Sequence, residues 1–322
     1  MATYLVSGAA GFIASRVTHL LLQDGHSVVG VDDLNDSYDV RMKQHRLDAL
    51  QKHSQFEFHH MDIADRDKVA ALGRPYDAVI NLAARAGVRD SVRDPWVYIA
   101  ANMVGTTNLL ELCKVHSVPK FILASTSSIY GNDAPLPTPE TSESSRPLQP
   151  YAASKKGAEA MCHAYHYLHG IDVSVVRYFT VYGPAGRPNM SMFRFMQWIS
   201  EGKPVLVNGD GEQKRGFTYL DDIARGTILA LKPVGYEIIN LGGHETISIN
   251  QLITMMEAAV GKKATIKHGP FDKADMMANW ADVSKAGQLL GWEPAVSLSE
   301  GIGRMVAWYQ QEHSWASQIN TE

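Results

Sequence analysis

Cysteine is scarce in this chain: Cys113 and Cys162 are the only two among 322 residues, and both fall within helical patterns. Two separated thiols cannot build a disulfide framework or a cysteine-based zinc site. Long apolar runs are missing too. No stretch approaches the roughly 20 residues that cross a bilayer, and the N-terminus enters a strand pattern directly, without a charged and then apolar leader. Neither sign of charge dominates, with 30 Lys and Arg against 34 Asp and Glu scattered along the sequence and a net charge of -4. That balance argues against a nucleic-acid groove and against a polybasic membrane patch. There is no internal repeat and no low-complexity linker, and the thirteen histidines form no ligand-spaced cluster; His59-His60 reads as a strand end. The expectation is a cytoplasmic protein without a metal, long enough for one large domain and a smaller partner.

What the chain does contain is a regular alternation of strand and helix. Thr3 to Ser7 is a short apolar strand, followed at once by Gly8-Ala9-Ala10-Gly11-Phe12-Ile13-Ala14 and a helical run to Leu22. A strand ending in a glycine turn that opens a helix presents backbone N–H groups and the positive helix end to a pyrophosphate. The spacing is Gly-x-x-Gly-x-x-Ala, and Ala14, in place of a third glycine, is still small enough for close packing. The next strand, Ser27 to Val31, ends at Asp32-Asp33. An acid there can accept from adenosine ribose hydroxyls and repel a 2′-phosphate, which favours NAD over NADP. Asp32 is the preferred candidate; the competing reading has the pair merely starting the turn DDLND.

A strand at Phe56 to His60 leads to Asp62 and Ile63, and another at Asp77 to Leu82 runs into the small residues Ala83 and Ala84. A long amphipathic helix is expected from Trp96 to Val115, then strands at Lys120 to Ala124 and Asp172 to Tyr178 around a helix that opens at Tyr151. This order predicts an α/β fold with a Rossmann-type doubly wound parallel sheet. Ligands then bind beyond the C-terminal strand ends, where Gly8, Asp32, Asp62, Ala83 and Thr126 fall. After Tyr178 the pattern changes. Thr180 to Asn189 reads as a breaker-rich loop opening a second lobe. The expected division is residues 1–179 for an NAD-binding domain and 180–322 for a smaller α/β lobe, interleaved, with segments near 217–245 returning to the first. Met255-Met256 and Met276-Met277 read as core or pocket packing.

Between the two halves lies ILASTSSIYGN, a Pro-rich loop and PYAASK. Tyr151 is the only tyrosine with a lysine, Lys155, four residues later. Four apart on a helix is the same face, so the ammonium can favour the phenolate and create a base for an alcohol proton. The same spacing also describes an ordinary surface pair. A redox cofactor site is what separates the two readings.

Taken together, GAAGFIA, Asp32, Asp62-Ile63, NLAA, STSSIYG, YAASK and RGFTYLDD from Arg215 resemble the extended short-chain dehydrogenase/reductase family across nearly the whole chain. Within it, LNDSYD, AGVRDS and RYFTVYGPAGRPNM look like UDP-glucuronate 4-epimerases. The resemblance implies NAD held by Gly8, Gly11, Phe12, Ile13, Asp32, Asp62, Ile63, Leu82, Ala83, Ala84, Asn102, Lys155 and Tyr178. It implies a UDP-sugar oxidised and re-reduced at C4, with Thr126, Tyr151 and Lys155 catalytic. Ser127 and Ser128 stand where dehydratases and decarboxylases of the family carry an acid, so a C5 carboxylate can be held by Ser127, Ser128 and Thr180 instead; each could also simply cap a strand end. Arg187 and Arg215 are candidates for the diphosphate, Arg187 alternatively bracing its loop, and Arg89 for phosphate or carboxylate. Asn189 is expected near the uracil. Asp275 is left out because Lys273-Ala274 replaces the Pro-Gly usual before it. The resemblance further implies a homodimer paired through the helices at 96–115 and 150–169. The alternatives are a UDP-glucose 4-epimerase, a UDP-glucuronate decarboxylase, or a catalytically idle NAD-binding sensor or scaffold.

Overall fold

The structure is a computed structural model that describes residues 1–243, 245–271 and 276–321, so Asp275 lies outside the described residues. Its first half contributes the strands β1 Thr3–Ser7, β2 Ser27–Asp32, β3 Phe56–His60, β4 Ala78–Asn81, β5 Lys120–Thr126 and β6 Asp172–Tyr178. The second half adds β7 Thr180–Tyr182, β8 Val205–Asn208, β9 Lys214–Tyr219, β10 Tyr236–Leu241, β11 Thr246–Ser248, β12 Ile266–Gly269 and β13 Ala278–Asn279. Seven strands form one parallel sheet in the order β10-β6-β5-β4-β1-β2-β3. Parallel strands covered by helices on both faces have no polar face, and β5 is accordingly buried along its whole length. The chain reverses its direction of travel across the sheet between β1 and β4, which opens a crevice there.

A smaller sheet, β11-β9-β13 with β7 also on β9, and a separate β8–β12 pair make up the second lobe. Thr180–Tyr182, expected within a loop, is thus a strand, in parallel register with Phe217–Tyr219. Its β-branched and aromatic side chains suit a pleated surface, and the chain breaks only at Gly183, whose φ is 153°. The helix expected from Trp96 also differs. It starts at Pro95, turns π-helical over Ile99–Val104 and resumes as α-helix over Gly105–Val115. A π turn slips the apolar stripe by one position, and Ile99 and Val104 are left on the outside.

The lobes are interleaved. The helix Leu220–Leu229 packs on the helix Phe12–Gln23, and β10 pairs with β6. Residues further on also return to the main sheet: Ala286, Leu290 and the fully buried Trp292 share a core with Val6, Val17 and Ile122. Met42 of the Val40–Leu50 helix packs instead with Phe193, Leu252 and Met305 of the second lobe. Met256 is core as expected, but Met277 is exposed, because β13 ends the sheet and presents it to solvent. No helix among the described residues is long and apolar enough to cross a membrane.

Candidate active site

The crevice at the β1/β4 reversal is lined by Gly8, Gly11, Asp32, Asp62, Ile63, Leu82, Ala83 and Ala84. Gly8 has φ 72°, and a Cβ there would meet the Ala83 backbone at 2.8 Å. Gly11 caps the Phe12–Gln23 helix without any side-chain bond to its first turn, so those N–H groups stay open at the positive helix end. Asp32 accepts from Ala10 N at 3.1 Å and Leu34 N at 2.8 Å. Burial raises its pKa, opposed by Lys43 and by those backbone donors. Open helix N–H groups, a glycine turn with no room for side chains and a buried acid twenty-one residues past Gly11 fit a dinucleotide.

Four residues expected at the cofactor have their side chains engaged within the protein. Phe12 and Ile13 pack at the start of the glycine-turn helix, Phe12 beneath the Arg46 guanidinium at 5.8 Å. Asn102 is fully buried, accepts from Arg85 N at 3.0 Å and donates to Arg85 O at 3.1 Å and Ser154 Oγ at 2.9 Å. With both amide hydrogens spent inside the protein it shapes the loop beside the crevice. Tyr178 turns its phenol into the core, onto Thr227 Oγ1 at 2.7 Å, and only its backbone faces the strand end.

At the end of β5, Thr126 accepts from Ser128 N at 3.1 Å, and so caps the short turn Ser127–Tyr130. Its hydroxyl also bonds Ser128 Oγ at 3.2 Å and the Tyr151 phenol. Tyr151 enters from the first turn of the helix Pro150–His169, which puts phenol and strand end together. Lys155, one turn on, is 2% exposed and donates to Ala124 O at 2.8 Å. Burial brings its pKa down to about 8, opposed by Cys162 and Glu159; the Cys162 thiol is itself held protonated by burial, so Glu159 is the charge that counts. Burial raises Tyr151, and the groups that draw it back are Thr126 and Arg187. The Lys155 ammonium is engaged by the β5 backbone.

Arg187 donates to Ala86 O at 3.2 Å, while its Nε is buried without a hydrogen-bond partner among the described residues. The Asn189 Oδ1 is likewise buried and unpartnered. Thr180 lies in register with Phe217, two residues from Arg215 on β9. Arg215 donates to Lys214 O and Met276 O, which fixes it to β13. Arg89 is exposed on the short helix Val88–Arg93. Ser127 is 5% exposed and accepts from Asn279 Nδ2 at 2.9 Å.

Comparison with known proteins places this arrangement. Residues 4–242 match the NAD dependent epimerase/dehydratase family. The chain belongs to that family. It is 55% identical over 314 residues to a UDP-glucuronate 4-epimerase of Thermodesulfobacterium geofontis, covering 97% of each chain. The Bacillus cereus UDP-glucuronic acid 4-epimerase, solved with UDP-glucuronic acid and NAD, superposes with a TM-score of 0.91 at 39% identity, over 96% of this chain and 99% of that one. The Thermotoga maritima UDP-glucose 4-epimerase, solved with UDP-glucose, gives 0.90 at 31% identity, over 97% and 99%.

Several residues of this epimerase/dehydratase site escaped the sequence reading. Lys43, 4% exposed, stands 3.6 Å from Asp32 and 3.8 Å from Asp33. Arg46 donates to Ala10 O at 3.1 Å and to Ala185 O at 2.6 Å, joining the glycine turn to the second lobe. The signal was present: Met42, Lys43, Arg46, Leu47 and Leu50 recur at helical spacing, so two cations sit in a buried stripe. Glu159, Arg177 and Asn279 carry no local signal beyond a charge or amide in an apolar setting.

Proposed function

We propose that this protein is an NAD-dependent 4-epimerase that interconverts UDP-glucuronic acid and UDP-galacturonic acid. The observation that carries this reading is the unbroken hydroxyl run Thr126-Ser127-Ser128 at the end of β5, bonded to Tyr151 and containing no carboxylate. NAD, when bound, supplies reversible hydride acceptance at the sugar C4. Gly8, Gly11 and the open helix end hold its pyrophosphate, and Asp32 with Lys43 beside it faces the adenosine ribose. Tyr151 takes the proton of the C4 hydroxyl and returns it, and Thr126 holds the same oxygen. Positioning and proton handling together supply catalysis of this kind.

A sugar that carries a ketone at C4 and a carboxylate at C5 loses carbon dioxide readily unless the carboxylate is held. Ser127 and Ser128, with Thr180, are the donors that hold it, and the lack of an acid among them removes the group a dehydratase would use. The buried, unpartnered edges of Arg187 and Asn189 fit the diphosphate and the base. Two free, buried cysteines suit a reducing compartment such as the cytoplasm. Exposed Trp96, Ile99, Val104, Tyr167 and Leu168 lie on the two adjoining helices and form the face on which a second copy pairs, giving a homodimer.

Incubation with UDP-glucuronic acid and chromatographic separation of products tests the reading. UDP-galacturonic acid at equilibrium with substrate is expected; accumulation of UDP-xylose or a 4-keto pentose nucleotide would overturn it. Sedimentation velocity of wild type and Trp96→Asp tests the dimer, the variant being expected to sediment as a monomer.

A further inference from the structure

We propose that Asn279 is a positioning residue that makes the substrate site select a carboxylate. It rests on the reading above, in which Ser127 meets the C5 substituent. Asn279 is 8% exposed and reaches across 152 residues of sequence to donate its Nδ2 to Ser127 Oγ at 2.9 Å. Its other contact from the same nitrogen is the weak acceptor Met276 Sδ at 3.8 Å, so the bond to Ser127 is the strong one.

A serine hydroxyl has one hydrogen. When its oxygen accepts from an amide, that hydrogen is turned away from the amide and is available to a ligand, and no acceptor among the described residues takes it from Ser127. Ser128 lies beside it, its Oγ 3.2 Å from Thr126 Oγ1. Ser127, at the end of β5, thus has its oxygen engaged by Asn279 and a hydrogen left to give. The chain of bonds runs one way, Asn279 to Ser127 to ligand, and favours an acceptor oxygen on the ligand. A carboxylate supplies several lone pairs and no hydrogen, whereas a hydroxymethyl group brings a competing donor.

The position of Asn279 also ties this end of the site to the arginine side. Asn279 is the register partner of Arg215 in the β13–β9 ladder, and Arg215 donates back to Met276 O. β13 and the residue Met276 shortly before it therefore contact both a serine of the first lobe and the arginine beside Thr180.

The test compares Asn279→Asp, which has the same shape but only acceptors, with Asn279→Ala and Ser127→Ala, on NAD-loaded protein. Titration calorimetry with UDP-glucuronic acid and UDP-glucose gives the two Kd values, and thermal unfolding checks integrity. Asn279→Asp captures the Ser127 hydrogen and adds a like charge, so its Kd for UDP-glucuronic acid is expected to rise about 10- to 100-fold, the scale of a lost hydrogen bond to a charged group. Its Kd for UDP-glucose should stay within about threefold, and Asn279→Ala should follow the same pattern more weakly. Equal weakening of both ligands would make Asn279 a mere prop and overturn the inference. So would unchanged glucuronate affinity in Asn279→Asp alongside a loss in Ser127→Ala, which leaves the function reading standing. If Ser127→Ala leaves the preference between the two sugars intact, the assignment of Ser127 to the carboxylate falls and the inference falls with it.

Discussion

The Lys155 ammonium donates to the Ala124 carbonyl at 2.8 Å, one residue before the strand end that carries Ser125 and Thr126. A buried ammonium with a single neutral acceptor is held at a cost, which is why its pKa falls from 10.5 to about 8. Below pH 8 both folded and unfolded chains carry the charge, and the folded chain bears the full penalty. Between 8 and 10.5 the unfolded chain binds more protons, so this group makes stability rise with pH across that window. Lys155→Met is therefore expected to abolish turnover yet stabilise the cofactor-free protein at pH 7, by roughly 1–3 kcal/mol. Thermal unfolding at pH 7 and at pH 10 checks it: the gain should shrink at the higher pH, and a lower melting temperature at pH 7 would contradict the account.

In the proposed reaction Tyr151 acts as a base although burial raises its pKa, and Thr126 is one of the two influences drawing that pKa back. Tyr151→Phe should lower kcat by about 10²- to 10⁴-fold, the range for a lost general base, with the fold intact by circular dichroism. Thr126→Ala should retain the base but raise its pKa further. The deprotonated form then appears only at higher pH, so the acid limb of the kcat–pH profile moves upward. Thr126→Ser keeps the hydroxyl and should leave the limb in place.

Much of this site was legible because its parts follow one another along the chain. The glycine turn, Asp32, Ala83 and Thr126 each stand at a strand end, and a parallel sheet brings all strand ends to one edge. Tyr151 and Lys155 are one helical turn apart, so a single helix sets their spacing. What remained hidden depends on contacts between distant segments. Nothing near Lys155 in sequence says that Ala124 O will receive it, and Asn279 lies 152 residues from Ser127. Likewise the family resemblance puts Asn102 at the cofactor but does not say that its amide bonds Arg85 and Ser154 from within a π turn.

That use of Asn102 makes its own prediction. Asn102→Ala leaves Arg85 N and O without their partner beside the cofactor crevice. An unsatisfied buried group costs about 1–3 kcal/mol. The variant should melt lower, and its Kd for NAD, read by equilibrium dialysis, should rise while the Kd of the NAD-loaded protein for UDP stays close to wild type. A parallel loss of UDP affinity would show that the loop supports the whole site and not the crevice alone.

Behind the catalytic strand end, Arg177 and Glu159 form a bidentate pair at 2.9 and 2.7 Å, both 2% exposed or less, with Ser125 Oγ donating to Glu159 at 2.6 Å. Burial alone would raise the Glu159 carboxyl, but Arg177 and Ser125 bring it below its ordinary 4.5. Its contribution to stability is therefore present above pH 4.5 and lost as pH falls through that lowered value. Glu159→Gln strands a guanidinium in the core, a change that costs about 3–5 kcal/mol. Replacing both partners with apolar residues, Glu159→Leu with Arg177→Met, removes the stranded charge and should recover most of that loss at pH 7. Urea unfolding of the two variants beside wild type, at pH 7 and at an acid pH below that lowered value, separates the outcomes. The single variant should be weakest at neutral pH and should approach wild type at acid pH. A double variant no more stable than Glu159→Gln at pH 7 would mean that shape, not charge pairing, holds β6 to the helix of Lys155.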